Sequence, residues 1–305
     1  MTNQTRDGLK SIADSYVNAM IAHDPKLAPL ASNAVIVENL KKIGTNEGLW
    51  AKASDEPKSF KIYVPDTVAQ TIGYMCVMQA KTEVDGKVED RPIQLGLRLK
   101  LDNGKIAEAE QIVVYSLGGG MMGAAGMKNL DKPRAAFSQP VIPAYRESRG
   151  NLIRIAGSYY DALELNNGRL CPFADDCVRH ENGMQTCRNI VPGDWAASTF
   201  GVFGALTAAA QLDSQVMAYI TKLDLRRVFA ADEEYGLAVG FSHFRHEMKQ
   251  KEFKVFGVPG VETWKMDYAP FDLPAMHIYK VWGGQMHEID ALGFMAPYMA
   301  DSYFK

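Results

Sequence analysis

Histidine is the side chain that changes charge near neutrality, and five of the six in this chain lie in its second half. Three strand-like segments carry most of them. In the segment Val178-Arg179-His180-Glu181-Asn182, period-two alternation puts Arg179 and Glu181 on one face and His180 and Asn182 on the other. In GFSHFRH, Phe241, His243 and Arg245 share a face, opposite Ser242, Phe244 and His246. In AMHIYKVW, His277, Tyr279 and Val281 share a face, opposite Ile278, Lys280 and Trp282. Imidazole, phenol and guanidinium groups gathered in one apolar hollow perform acid–base chemistry: one group takes a proton, one gives it, and the cation holds developing negative charge. The ordinary alternative for each is a hydrogen-bonded structural residue, and Tyr16 and Tyr159 also fit simple core packing on a helix.

The elements that would position these residues occur twice. At a constant offset of 143, eleven of the 28 residues from Ile12 to Asn39 are identical in the second half, among them Tyr16/Tyr159, Glu38/Glu181 and Asn39/Asn182. Trp50-Ala51 matches Trp195-Ala196 after a two-residue insertion. A period of this length is domain-sized, not that of a solenoid. Each copy opens with an amphipathic helix, through Leu9, Ile12, Ala13, Tyr16 and Ala19 or Leu152, Ile155, Ala156, Tyr159 and Ala162. A short helix over 25–30 or 168–173 and a strand over 34–38 or 177–181 should follow. A third helix around the shared tryptophan is brief in the first copy and longer in the second. Period-two segments then continue to the end of each copy, with turns at Asp85-Gly86, Asn103-Gly104 and Gly283-Gly284. Helices before a curved antiparallel sheet predict an α+β fold of two tandem cone-shaped barrels. The expected division is 1–116, a Gly/Met/Pro-rich linker or lid over 117–148 that includes Met121, Met122 and Met127, and a catalytic 149–305.

Composition narrows the function. Hydrophobic residues make up 47% of the 305, charged residues 23%, and the net charge is −3, so disorder and a nucleic-acid partner are disfavoured. The polar N-terminus predicts a cytoplasmic protein, and no apolar run suits a membrane span. Cys171, Cys177 and Cys187 sit near His180, but without a CxxC pair, so buried thiols are expected in place of zinc. Gly118, Gly120 and Gly123 spell GxGxxG, but Pro133 and Pro140 follow and no βαβ unit does, so no nucleotide is expected.

The order of elements, with NAVIVENLKKIGTNEGLW and DDCVRHENG, resembles the nuclear-transport-factor-two-like superfamily. That group includes SnoaL-like cyclases, ketosteroid isomerase and scytalone dehydratase; bacterial lignin-dimer γ-formaldehyde lyases also belong. The resemblance covers nearly the whole chain as two copies and implies a pocket that works without cofactor or metal, in a homo-oligomer. It implies a lyase or dehydratase acting on a hydrophobic hydroxylated aromatic substrate, most concretely release of formaldehyde from a phenolic diaryl propanediol. His243 or His277 is the expected base, Tyr159 or Tyr279 the acid, and Arg179 the cation; His180, Glu181, Asn182, Phe241, Arg245 and Trp282 are expected to bind substrate. Glu38-Asn39 and Glu181-Asn182, kept in both copies, also read as structural strand-end devices. Arg98, Lys100, Tyr63 and Tyr74 are the polar strand candidates of the first copy. The alternatives are an isomerase or cyclase of a polycyclic or polyketide-like substrate, a ketosteroid-isomerase-like proton shuttle, which needs a carboxylate at the pocket's centre, and a non-catalytic binding or assembly module.

Overall fold

A computed structural model describes residues 3–84, 86–115, 126, 129–188, 201–258 and 260–304. Asp85, Gly118, Gly120, Met121, Met122, Gly123, Met127, Trp195 and Ala196 lie outside the described residues. The first copy contains α1 (Arg6–Ile21), β1 (Leu30–Glu38), β2 (Lys41–Ile43), α2 (Gly48–Lys52), β3 (Ala53–Asp55), β4 (Lys61–Asp66), β5 (Thr71–Val84), β6 (Lys87–Asp102) and β7 (Lys105–Val114). After α3 (Ala135–Ser138), the second contains α4 (Arg149–Glu164), β8 (Phe173–Glu181), β9 (Met184–Cys187), α5 (Ala208–Asp213), β10 (Lys222–Asp232) and β11 (Leu237–His246). It ends with β12 (Glu252–Lys254), β13 (Thr263–Lys265), β14 (Phe271–Trp282), β15 (Gln285–Gly293) and β16 (Ala296–Pro297).

The two main sheets repeat one topology. The first runs β2-β1-β7-β6-β5-β3, with β4 also on β5; the second runs β10-β11-β14-β15-β8-β9, with β16 also on β14. β1 pairs parallel with β7, β8 pairs parallel with β15, and the other pairings are antiparallel. The chain is therefore two tandem α+β cones, each with helices packed on a curved, mainly antiparallel sheet. Thr5 and Ser148 cap α1 and α4 by accepting from Gly8 N and Asn151 N. The expected apolar stripes face the sheets: Leu9, Ile12, Ala13, Tyr16 and Ala19 on α1, Leu152, Ile155, Ala156, Tyr159 and Ala162 on α4.

Three local expectations change. The short second helices are single 3-10 turns, Pro25–Leu27 and Gly168–Leu170, so the strands after them start earlier than predicted. The described part of the long third helix of the second copy splits into a 3-10 turn, Gly201–Ala205, and α5, because Thr207 caps a new start by accepting from Ala210 N. The described part of the 117–148 segment is tied down: Phe137 is buried, and the Arg134 guanidinium reaches Glu288, Asp290 and His180.

The outer sheet faces bury each other. Ile62, Val64, Met75 and Ile112 of the first copy share a core with Val239, Phe241, Met276 and Ile278 of the second. Gly73 and Gly96 permit this approach: a Cβ on either would lie within 2.5 Å of Val239 Cγ1 or 2.6 Å of Met276 Sδ. Ion pairs rim the seam, Arg227–Glu110 at 2.6 Å, Arg149–Asp66 at 2.7 Å and Arg6–Asp232 at 2.7 Å. Among the described residues no helix is long and apolar enough to cross a membrane.

Candidate functional site

The interiors of the two cones differ. In the first, Trp50 Nε1 donates to Tyr16 Oη (3.1 Å), Tyr16 Oη to Gln111 Oε1 (3.2 Å), and Gln111 Nε2 to Glu38 Oε2 (2.7 Å). Leu49 N and the Tyr115 hydroxyl complete the shell of Glu38, both at 2.7 Å. Tyr16 and Trp50 have no exposure, so this chain of hydrogen bonds plugs the cone's centre. In the second, Tyr159 and Glu181 hold the places of Tyr16 and Glu38. Gln111 faces Glu38 across the β1–β7 ladder; the matching partner of Glu181 on β15 is Ala291. The amide link of the plug therefore has no counterpart there among the described residues, and a cavity of about 280 Å³ is present.

Residues from α4, β8, β11, β14 and β15 line that cavity, together with Val114 and Tyr115 of the first copy. At its polar end Arg179, which is 1% exposed, and Glu181 project from alternate positions of β8. Arg179 Nε lies 2.6 Å from Glu181 Oε1 and donates to Thr186 Oγ1 (2.8 Å). Arg179 Nη2 donates to Gln211 Oε1 (2.6 Å), and Gln211 is in turn held by its donation to Phe203 O (2.7 Å). Arg179 Nη1 has no hydrogen-bond partner among the described residues. The Thr186 hydroxyl donates to Glu181 Oε1 (3.0 Å), which leaves Oε2 unbonded among those residues.

Aromatic rings form the walls. Tyr159 and His277 have centroids 5.5 Å apart, Phe244 and His277 5.6 Å, and His246 stacks on Phe271 at 4.1 Å. Burial, reinforced by the Arg179 charge, holds the His277 imidazole down at about 3. Burial likewise holds His246 at about 4. Burial raises the Tyr159 phenol above its ordinary value, against the opposing pull of Arg179. Both pocket histidines are therefore neutral at pH 7, a correction to the expectation of imidazoles poised near neutrality. Beside them, the Arg179 guanidinium and the Glu181 carboxyl group lie next to each other in an aromatic hollow.

Of the sequence candidates, the structure brings Tyr159, Arg179, Glu181, Asn182 and His277 to the cavity. Asn182, at φ 47°, spends its side chain on Gly293 N and O, as Asn39 at φ 45° does on Val113, which is the strand-end role. Tyr279 is on the inner face of β14 but lies behind His277, fully buried, and does not reach the cavity.

The rest point elsewhere. His243 and Phe241 face the seam: Phe241 packs on Phe229, and His243 borders Glu110 and Arg227. Arg245, on the same face, pairs with Asp272 at 2.5 Å. His180 accepts from Arg134 through Nδ1 on the outer face of β8. Trp282 stacks on His287 at 3.4 Å, also outside the cone. The physical reason is shared: β11, nearly all of β14, and β8 at Arg179-His180 are buried on both faces, so alternation marks two interiors and does not say which one is hollow. In the first copy Arg98 pairs with Glu108 and Glu110, Lys100 with Glu108, Tyr63 donates to Asp14, and Tyr74 is core.

Sequence reasoning passed over His246, Phe244, Tyr219, Thr186 and Gln211. The first two had a signal, the opposite parity of β11, where Ala238, Gly240 and Ser242 leave room for Tyr160 of α4; a Cβ on Gly240 would lie 2.9 Å from Tyr160 Oη. Gln211 and Tyr219 arrive from segments with no period, so nothing in the sequence marked them. Cys171, Cys177 and Cys187 are free and buried, and His180 faces away from them. Among the described residues no group of three or more His, Cys, Asp or Glu side chains gathers as metal ligands.

Solved structures with some likeness include AusH from Aspergillus nidulans, at 12% identity over 37% of this chain and 87% of that one (TM-score 0.29). PrhC from Penicillium brasilianum aligns at 11% identity over 36% and 83% (TM-score 0.30). A candidate SnoaL-like polyketide cyclase from Shewanella putrefaciens aligns at 14% over 37% and 93% (TM-score 0.30). No curated protein matches the chain. One family model matches residues 2–113 and 145–293, both cones, and on that match the chain belongs to the family described as Domain of unknown function (DUF8021).

Proposed function

We propose that the second cone is the active site of a cofactor-independent enzyme that moves a proton at carbon next to a carbonyl, an isomerase or cyclase of a compact ring compound. The observation that carries this is the pairing of Glu181 and Arg179, whose Oε2 and Nη1 have no hydrogen-bond partner among the described residues, at the polar end of an aromatic-walled cavity. Glu181 Oε2 takes the α-proton. The electron pair moves onto the carbonyl oxygen, and Arg179 Nη1 donates to the enolate formed. The proton then returns to a second carbon (isomerisation), or the enolate carbon attacks a second carbonyl and the new alkoxide is protonated (cyclisation). Neutral His277 and Tyr159 orient the ring. A cavity holding ionisable and phenolic side chains together supports an enzyme over a pure assembly module, and its size suits a ligand of about one or two rings.

The test is hydrogen–deuterium exchange of 2-tetralone in D2O without added cofactor. The enzyme should accelerate exchange, and Glu181→Gln should lower the rate by about 10²–10⁴-fold. Equal rates in the two proteins would remove Glu181 as the base.

Formaldehyde release from a phenolic diaryl propanediol is the second reading. The aromatic walls and the Arg179 cation favour it, since both suit a phenol whose ring becomes an electron sink. There the phenol is bound as its phenolate beside Arg179, the benzylic hydroxyl leaves as water with a proton from Tyr159, and the phenolate's electron pair moves into the ring to give a quinone methide. Glu181 then deprotonates the terminal hydroxyl, the carbon–carbon bond breaks to release formaldehyde, and the electron pair restores the phenolate as a stilbene. A formaldehyde assay with the phenolic dimer tests it, and the O-methylated dimer must be inert.

A further inference from the structure

Strand β14 carries a second cavity on its other side. About 340 Å³ lies between the outer face of the strand and the segment that leads into α4. Its walls are apolar, with Ala136, Val141, Ile142, Tyr145 and Trp282 on the sides and Lys280 as the charged group. The walls are fixed by backbone bonds, Val141 N to Glu234 O and Gly283 N to Tyr145 O, both 2.9 Å. Ile142 and Tyr145 stay 66% and 56% exposed, so the apolar rim is open to solvent.

Lys280 is the unusual member. It is 3% exposed, yet no carboxylate lies within ion-pair distance of its Nζ among the described residues. Glu288, opposite it in the β14–β15 register, is engaged by Arg134, and Asp232 by Arg6. Nζ donates to two backbone carbonyls, Gln139 O at 2.7 Å and Tyr235 O at 2.6 Å. An ammonium has three hydrogens, so one remains. Buried charges are ordinarily paired, because an uncompensated ion in an apolar setting is costly. Burial lowers the Lys280 pKa to about 8, consistent with a missing counter-ion.

We propose that this outer cavity is a second ligand site, which takes a small aromatic carboxylate: the carboxylate pairs with Lys280 Nζ and the ring packs against Trp282 and Tyr145. The Trp282 indole is already held flat against His287, which is bonded through Nδ1 to Asp176 at 2.7 Å, so its orientation is set before a ligand arrives.

The test uses 1-naphthoate as probe and neutral 1-naphthamide as control, with calorimetry and ligand-observed NMR on the full chain. Naphthoate should bind at least about tenfold more tightly than the amide, and Lys280→Met should remove at least about tenfold of its affinity. Because Lys280 also braces two carbonyls, Ile142→Glu serves as a second variant: it alters only an exposed rim position and should repel the carboxylate with an unchanged melting temperature. Arg179→Met, in the cone cavity, should leave naphthoate affinity unchanged. Naphthoate that fails to bind, binds no better than the amide, binds Ile142→Glu or folded Lys280→Met as well as the parent, or loses affinity in Arg179→Met, overturns the assignment.

Discussion

Acidification should destabilise this protein well above the pH at which carboxylates titrate, because its buried imidazoles are held neutral. His277 and His180 have folded pKa values near 3, and His246 and His243 near 4, against 6.5 for an exposed histidine. Burial is the largest cause in each, with Arg179 adding to it at His277, Arg134 at His180 and Arg245 at His243. A base whose folded pKa is depressed binds fewer protons folded than unfolded, so stability falls as pH drops below about 6.5 and keeps falling until the folded pKa is reached. At about pH 5 each such histidine subtracts about 2 kcal/mol. Asp290 works the other way: burial raises its carboxyl to about 6, so it favours the folded state on acidification, by about 1 kcal/mol at about pH 5. The histidines dominate, and several kcal/mol is a large share of the roughly 5–15 kcal/mol available to a folded domain. Urea unfolding at neutral and mildly acidic pH measures the slope. His246→Phe, which keeps an aromatic ring stacked on Phe271, should remove about 2 kcal/mol of it. A stability flat over this range, or a slope unchanged in His246→Phe, would refute the claim that these rings are neutral because they are buried.

Two other perturbations probe the packing logic. Ala291→Gln restores to the second cone the residue type that plugs the first; it should abolish 2-tetralone exchange while the melting temperature shifts by only a few degrees, and full exchange activity would show that the reaction occurs elsewhere. Asp272→Ala removes the buried partner of the Arg245 guanidinium, whose side chain is 9% exposed, leaving only the longer 3.4 Å pair with Asp224, and should cost about 3 kcal/mol in denaturant unfolding. Asp161→Ala, at the solvent-exposed pair with Arg226, should cost no more than about 1 kcal/mol, and equal losses at the two sites would contradict the burial argument.

Much of the fold was legible because duplication is a pattern of identities, which survives without knowledge of contacts. The helix faces were legible because α1 and α4 each bury one stripe, so apolar spacing of 3.6 has a single meaning. The β8 pair Arg179 and Glu181 was legible for a similar reason: the first copy has Ile36 where Arg179 stands, so a charge was added to a position that its twin leaves apolar. His243 misled because β11 is buried along its whole length, against α4 on one side and the first copy's sheet on the other. Its apolar partners Leu237, Val239 and Phe241 look like a hollow's lining and are in fact the seam.

That seam also bears on how the two cone interiors differ. An exposed sheet face in this fold needs a cover, and here each copy covers the other, fixed by Gly73 and Gly96 at the contact and by ion pairs at the rim. With its outer face anchored, each copy must still fill its own interior. The first does so with Trp50, Tyr16, Gln111 and Glu38 in one hydrogen-bonded chain, in which each of these four side chains has a partner. Ala291 in the place of Gln111 breaks that chain in the second cone and leaves Glu181 without its amide partner. The compensating cation is Arg179, brought in two residues earlier on the same strand and steadied by Gln211 from α5. Among the described residues, the change from Gln111 to Ala291 thus removes the amide partner of the β8 carboxylate, and Arg179 stands beside that carboxylate instead.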